Sequence, residues 1–127
     1  MKYILLVHHS EEVIEQLGET ELGQLRAESV QLANQIHSSG KYVDAAPLHP
    51  TSTATCVRVR EGKLLVTDGP FAETREQLGG YFLITAENLD EAIAIGGRIP
   101  GARIGTVEIR PVIELPGLPD VRIARAD

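Results

Sequence analysis

Apolar residues follow two rhythms along this chain, and the order of those rhythms predicts a fold. Tyr3 to Val7 is unbroken apolar sequence, too short for an independent helix and read as a central strand covered on both faces. His8 and His9 close it. A polar stretch opens at Ser10, where Val13, Ile14 and Leu17 predict a short helical turn before Gly18. Leu22, Leu25, Ser29, Leu32, Ala33 and Ile36 then recur at helical spacing. Glu21, Gln24, Glu28, Gln31 and Gln35 take the opposite face. Thr20 is the expected N-cap of this helix and Gly40 its expected C-terminal stop.

The rhythm then turns to strands. Lys41 to Leu48 predicts one, ending near Pro47 and Pro50. Thr55 to Arg60 predicts the next, with Val57 and Val59 on one face and Cys56, Arg58 and Arg60 on the other. Glu61-Gly62 is a two-residue turn into a return strand, Lys63 to Thr67. The loop Asp68-Gly69-Pro70-Phe71 follows. Thr74 and Gln77 stand at capping-box spacing, which predicts little more than one helical turn before Gly79-Gly80. Tyr81 to Thr85 predicts another strand. Asn88, with Glu91 three residues on, caps a second helix that Pro100 ends. Leu89, Ala92, Ile93 and Gly96 are its expected buried stripe. Thr106 to Arg110 predicts the last strand. Residues 1–113 thus form one domain, and 114–127 an extended tail around Pro116-Gly117-Leu118-Pro119.

Strand, helix, strand, hairpin, strand, helix, strand is the split βαβ order of a ferredoxin-like α+β fold, βαββαβ with an added hairpin. Both helices then cover one face of an antiparallel sheet and leave the other exposed and apolar. A monomer rarely exposes such a patch, so a homodimer with sheets packed face to face is expected.

Composition narrows the function classes. With 127 residues, 43% hydrophobic and 24% charged, the chain is globular and not disordered. Its net charge is -6, with twelve basic residues scattered among eighteen acidic ones, which argues against nucleic acid as a partner. The single cysteine, Cys56, excludes an internal disulfide and a cysteine-based zinc site. It points to a reducing cytoplasm. Met1-Lys2-Tyr3 leads into a short apolar run without a cleavage site, so neither a signal peptide nor a membrane span is expected. Gly79-Gly80 and Gly96-Gly97 lack the strand–turn–helix setting of a phosphate loop, and no His or Glu spacing marks a metal site. No cofactor or metal is expected.

The run Thr67-Asp68-Gly69-Pro70-Phe71-Ala72-Glu73-Thr74-Arg75-Glu76-Gln77-Leu78-Gly79-Gly80-Tyr81 resembles the signature of the DGPF branch of YCII-related proteins. Residues 55–63, Asn88-Leu89-Asp90-Glu91-Ala92 and Val107-Glu108-Ile109-Arg110-Pro111 are similar to that branch as well. The resemblance covers roughly residues 1–113 and implies a dimeric α+β barrel. Most proteins of the branch are uncharacterised. Some resemble proteins found beside extracytoplasmic-function sigma factors, which implies regulation. Related YCII proteins resemble muconolactone isomerases and include a dehydrochlorinase, whose suspected acid–base pair is a first-helix His and a mid-chain Asp. The Asp matches Asp68. The His position falls near Ser29, and the only helix histidine here is His37.

The residues themselves leave two roles open at each position. Asp68 is a carboxylate at a strand end, stiffened by Gly69 and Pro70 as a positioned base needs; an Asp there equally shapes a turn by accepting backbone N–H bonds. His8 and His9 are proton shuttles near neutral pH, but strand alternation sends them to opposite faces, and either could be an ordinary strand-end histidine. His49, in a loop between Pro47 and Pro50, is by default a surface residue; with Asp68 and one strand-end histidine it would complete a polar cluster. Arg58 could anchor a substrate carboxylate or pair with Glu108. Tyr81 could orient a substrate by its hydroxyl or be an amphipathic residue at the core edge, and Phe71 line the site or anchor the loop in the core. Two functions of different classes follow. One is an enzyme moving a proton on a small aromatic or lactone-like metabolite, with Asp68 as base, a histidine as acid and Arg58 as anchor. The alternative is a non-catalytic ligand-binding or regulatory interaction module.

Overall fold

A computed structural model describes residues 1–119. Its strands are β1 (Lys2–His9), β2 (Tyr42–Pro47), β3 (Thr55–Arg60), β4 (Lys63–Asp68), β5 (Gln77–Thr85) and β6 (Gly105–Pro111). Its helices are α1 (Glu11–Gln16), α2 (Glu19–Ser38) and α3 (Leu89–Gly96), with single 3-10 turns at Thr51–Thr53 and Pro100–Arg103. β2, β5, β1 and β6 form one sheet in that order, and every pairing is antiparallel. With the hairpin β3–β4 set aside, this is the ferredoxin-like order. The sheet is open, so one chain does not close a barrel. Of the expected tail, residues 120–127 lie outside the described residues.

The core forms where alternation and helical spacing meet. Tyr3, Leu5 and Val7 of β1 and Phe82 and Ile84 of β5 point to one side and are buried under Leu32 and Ile36 of α2 and Ala92 and Ile95 of α3. The other side of β1, Ile4 and Leu6, is only half-buried. The chain alone therefore covers one face of that strand, where the unbroken apolar run predicts cover on both.

The helix ends differ from expectation in instructive ways. α2 begins two residues early: the Leu22 N–H bonds the Gly18 carbonyl at 3.0 Å, and Thr20 lies inside the first turn. Only Leu17 and Gly18 separate α1 from α2, and Gly18 takes the N-cap position. The other end matches: Gly40 has φ +75°, and the Lys41 N–H reaches back to the Ile36 carbonyl at 2.9 Å in a Schellman closure. Thr74 and Gln77 cap no helix. The Thr74 hydroxyl bonds the Glu76 carbonyl, and Gln77 already starts β5, because the strand finds β1 as a partner four residues before Tyr81. In α3 the buried stripe is Ala92, Ile95 and Gly96, while Leu89 and Ile93 are about half exposed. The Asn88 side chain does cap α3, accepting from the Glu91 N–H at 2.9 Å. The helix ends at Gly96, and Pro100 opens the following 3-10 turn.

Among the described residues β3 and β4 pair only with each other. Glu61 and Gly62, both at positive φ, make the tight turn between them. Every residue of the hairpin strands except Cys56 is exposed. No described helix is long and apolar enough to cross a membrane.

Candidate functional site

A cavity of about 760 Å³ lies between the sheet and the N-terminal helices. Ile14 of α1, Leu22 and Leu25 of α2, and Val7, Phe82 and Ile99 give it apolar walls. Its polar lining includes His9, Glu11, Arg26, His37 and His49. A cleft of this size and character, apolar with a few polar groups, suits a small organic molecule.

Strand alternation carries His9 to the cleft. It follows Val7 on the core side, while His8 points to the opposite face and meets the Glu108 carboxylate at 3.0 Å. β5 makes room for the His9 ring. Its register with β1 shifts between Val7 and His8, leaving Gly79 out of the pairing. A Cβ on Gly79 would fall 2.1 Å from Cε1 of His9, so only glycine admits the imidazole in this position.

Burial lowers the pKa of His9 below its ordinary 6.5, outweighing the upward pull of Glu11 and Glu76; the nearby His8 adds to the lowering. At neutral pH His9 is therefore an uncharged imidazole, able to accept a proton, with two carboxylates near enough to favour the cation it would become. Glu11 is itself fixed. The Thr51 hydroxyl donates to one carboxylate oxygen, and the Thr51 N–H donates to the other at 2.8 Å. The Glu11 N–H donates to the Gln77 side-chain carbonyl at 2.9 Å. The hydrogen bonds from Thr51, side chain first, hold the Glu11 pKa below the usual carboxylate value. The start of α1, the 3-10 turn and the start of β5 are thus tied together beside His9.

The other candidates are dispersed. His49 lines the cleft from an exposed loop. Asp68 is exposed at the end of β4, paired in register with Thr55, and borders a separate cavity on the hairpin with Arg58 and Phe71. Phe71 is 79% exposed. The Tyr81 hydroxyl donates to Asp44 at 2.8 Å. Arg58 and Glu108 do not meet: Arg58 is on the hairpin and Glu108 faces His8. Within one chain the cleft gathers His9, His49 and Tyr81, but neither Asp68 nor Arg58.

Glu11, Arg26, His37 and Thr51 escape a reading of the sequence for strand-end and loop residues. A signal for two of them exists. Ser29 breaks the apolar stripe of α2, and Arg26, Ser29, Ala33 and His37 follow one another at helical spacing along the wall of the cleft. His37 stands edge-on to Tyr42, with ring centroids 6.0 Å apart. Among the described residues no group of three or more His, Cys, Asp or Glu is placed to hold a metal ion.

Comparison with known proteins places this architecture. The family model for the YCII-related domain matches residues 1–116. The chain is also similar to an uncharacterized protein of Rhizobium meliloti (strain 1021), 33% identical over 114 residues, which are 88% of this chain and 92% of that one.

Proposed function

The chain belongs to the YCII-related domain family, and on that premise we propose that its cleft binds a small, largely apolar metabolite carrying a carboxylate or lactone and moves a proton on it through His9. One observation carries this reading: an imidazole kept neutral by burial stands at the wall of an apolar cleft of about 760 Å³. Proton transfer is efficient when the acceptor titrates near the working pH. The Arg26 guanidinium on the wall supplies an anchor for a substrate anion. His49 and His37 are the further histidines lining the cleft.

The protein acts as a homodimer through the open faces of its sheets, a reading supported by half-exposed Ile4, Leu6 and Leu83 on the face away from the helices. The Asp68–Phe71 run supports assignment to the DGPF branch, and the lone free thiol of Cys56 supports a reducing cytoplasm. A non-catalytic ligand-binding or regulatory role is the second reading, favoured by the separation of Asp68 from the histidines within one chain.

Calorimetric titration with a panel of aromatic carboxylates and lactones tests the cleft. Leu25→Trp, which fills it, should abolish binding of any compound the unaltered protein takes while circular dichroism stays unchanged. A filled variant that binds as well as the original would remove the cleft from the account.

A further inference from the structure

We infer that the cleft is a channel for an unbranched aliphatic carboxylate, its head at Arg26 toward the His9 end and its tail running to His37, with Ala33 setting the length of tail admitted; this rests on the ligand-binding cleft proposed above. The cleft is long. Val7, two residues before His9, pairs with Gly80 of β5, and all three line one end. At the other end His37 stands edge-on to Tyr42, which pairs with Ile84 of the same strand. Four residues of strand, roughly 13 Å, separate Gly80 from Ile84. Along α2 the eleven residues from Arg26 to His37 rise roughly 16 Å. A single ring leaves much of that length empty, whereas an extended chain fills it.

The lining is distributed for such a ligand. Leu25, Ala33, Ala45 and Phe82 give the walls apolar surface between the ends, which suits methylene groups. The fixed positive charge lies in the N-terminal half of α2, one turn on from Leu22. Among the described residues Arg26 makes no ion pair. The arginines on the other flank of α2 are taken, Arg103 by Glu28 at 2.9 Å and Arg98 by Gln35. Of the acids that line the cleft, Glu11 is bound by Thr51, and Glu15 makes no ion pair with Arg26. A guanidinium left without a partner at one end of an apolar channel selects a carboxylate head. The tail then has one direction to run. Ala33 stands one helical turn short of His37, packed with Ala45 against the core. Only its methyl group projects there, so a longer side chain would close the channel before His37.

Calorimetric titration with straight-chain carboxylates from hexanoate to tetradecanoate, each below its micellar concentration, tests this. Affinity should rise about fourfold with each added methylene until the tail reaches His37, and then level off. Ala33→Phe should leave the shortest acids within about twofold, bring the levelling-off to a shorter chain and weaken the longest acids by roughly tenfold or more. Ala45→Leu narrows the channel from the strand side and should act alike, which covers a failure of Ala33→Phe to fold. Arg26→Gln should weaken every length by a similar factor, about tenfold. Affinity independent of chain length, in a protein that does bind aromatic carboxylates or lactones, overturns the channel and leaves the cleft reading standing. A rise that never levels off, or that is the same in the unaltered and narrowed proteins, overturns the role of Ala33. Unchanged affinity in Arg26→Gln overturns the seating of the head. A protein that binds none of these compounds removes the cleft reading as well.

Discussion

The charge state of His9 is decided by a competition between burial and neighbouring charge. Burial favours neutral His9, and the carboxylates of Glu11 and Glu76 oppose it without winning. This has a consequence for stability. The folded pKa lies below the ordinary 6.5, so between those values the unfolded chain binds more protons than the folded one. The contribution is complete above pH 6.5 and is lost as the pH falls through the folded value. Gly79→Ala should displace the imidazole from its place against β5 toward water. The His9 midpoint should then rise toward 6.5 and the acid-side loss of stability shrink, as NMR titration with melts across pH 5 to 7 would show. That His8 and His9 face opposite ways is readable from alternation alone. Which of them faces the cleft is not, because Ile4 and Leu6 are as apolar as Leu5 and Val7, and only the packing of α2 selects a side. The role of Gly79 is equally invisible without the register shift.

Elements were readable where local chemistry acts alone and misread where a neighbour intervenes. Asn88 caps α3 because its side chain reaches the Glu91 N–H, a bond within four residues. Asn88→Ala should therefore cost about 1 kcal/mol in chemical denaturation, with little change in slope. The Thr74–Gln77 spacing carries the same cap signal, yet β5 claims Gln77 by pairing it with His9 across the fold. Likewise α1 sets where α2 begins, and the stripe of α3 shifts toward Ile95 because the sheet lies on that side. The loop after β4 behaves as its composition implies: Gly69 sits at φ +89° and donates its N–H to the Ala54 carbonyl at 2.7 Å. Asp68 is thus held on a fixed turn, as the Gly-Pro pair predicts, but on the hairpin and not at the cleft.

Across the whole molecule, the order of rhythms in the chain is sufficient for the sheet. A strand flanked by two others and covered by two helices follows from the split βαβ order, and β1 does lie between β5 and β6. One chain leaves the hairpin strands exposed and the outer face of β1 half-buried, and spacing within that chain does not reveal what meets them. The site shares this limit: His9 was legible as a candidate, whereas Glu11 and Arg26, which line the same cleft, come from helices whose approach to β1 no local pattern records. The central claim is that this cleft moves a proton through His9. Its most direct measurement is NMR-detected incorporation of solvent deuterium into a bound carboxylate or lactone in heavy water. The account predicts exchange at an acidic C–H position with the unaltered protein, and loss of about a hundredfold or more in His9→Asn with ligand affinity retained. Equal exchange rates in the two proteins would contradict it.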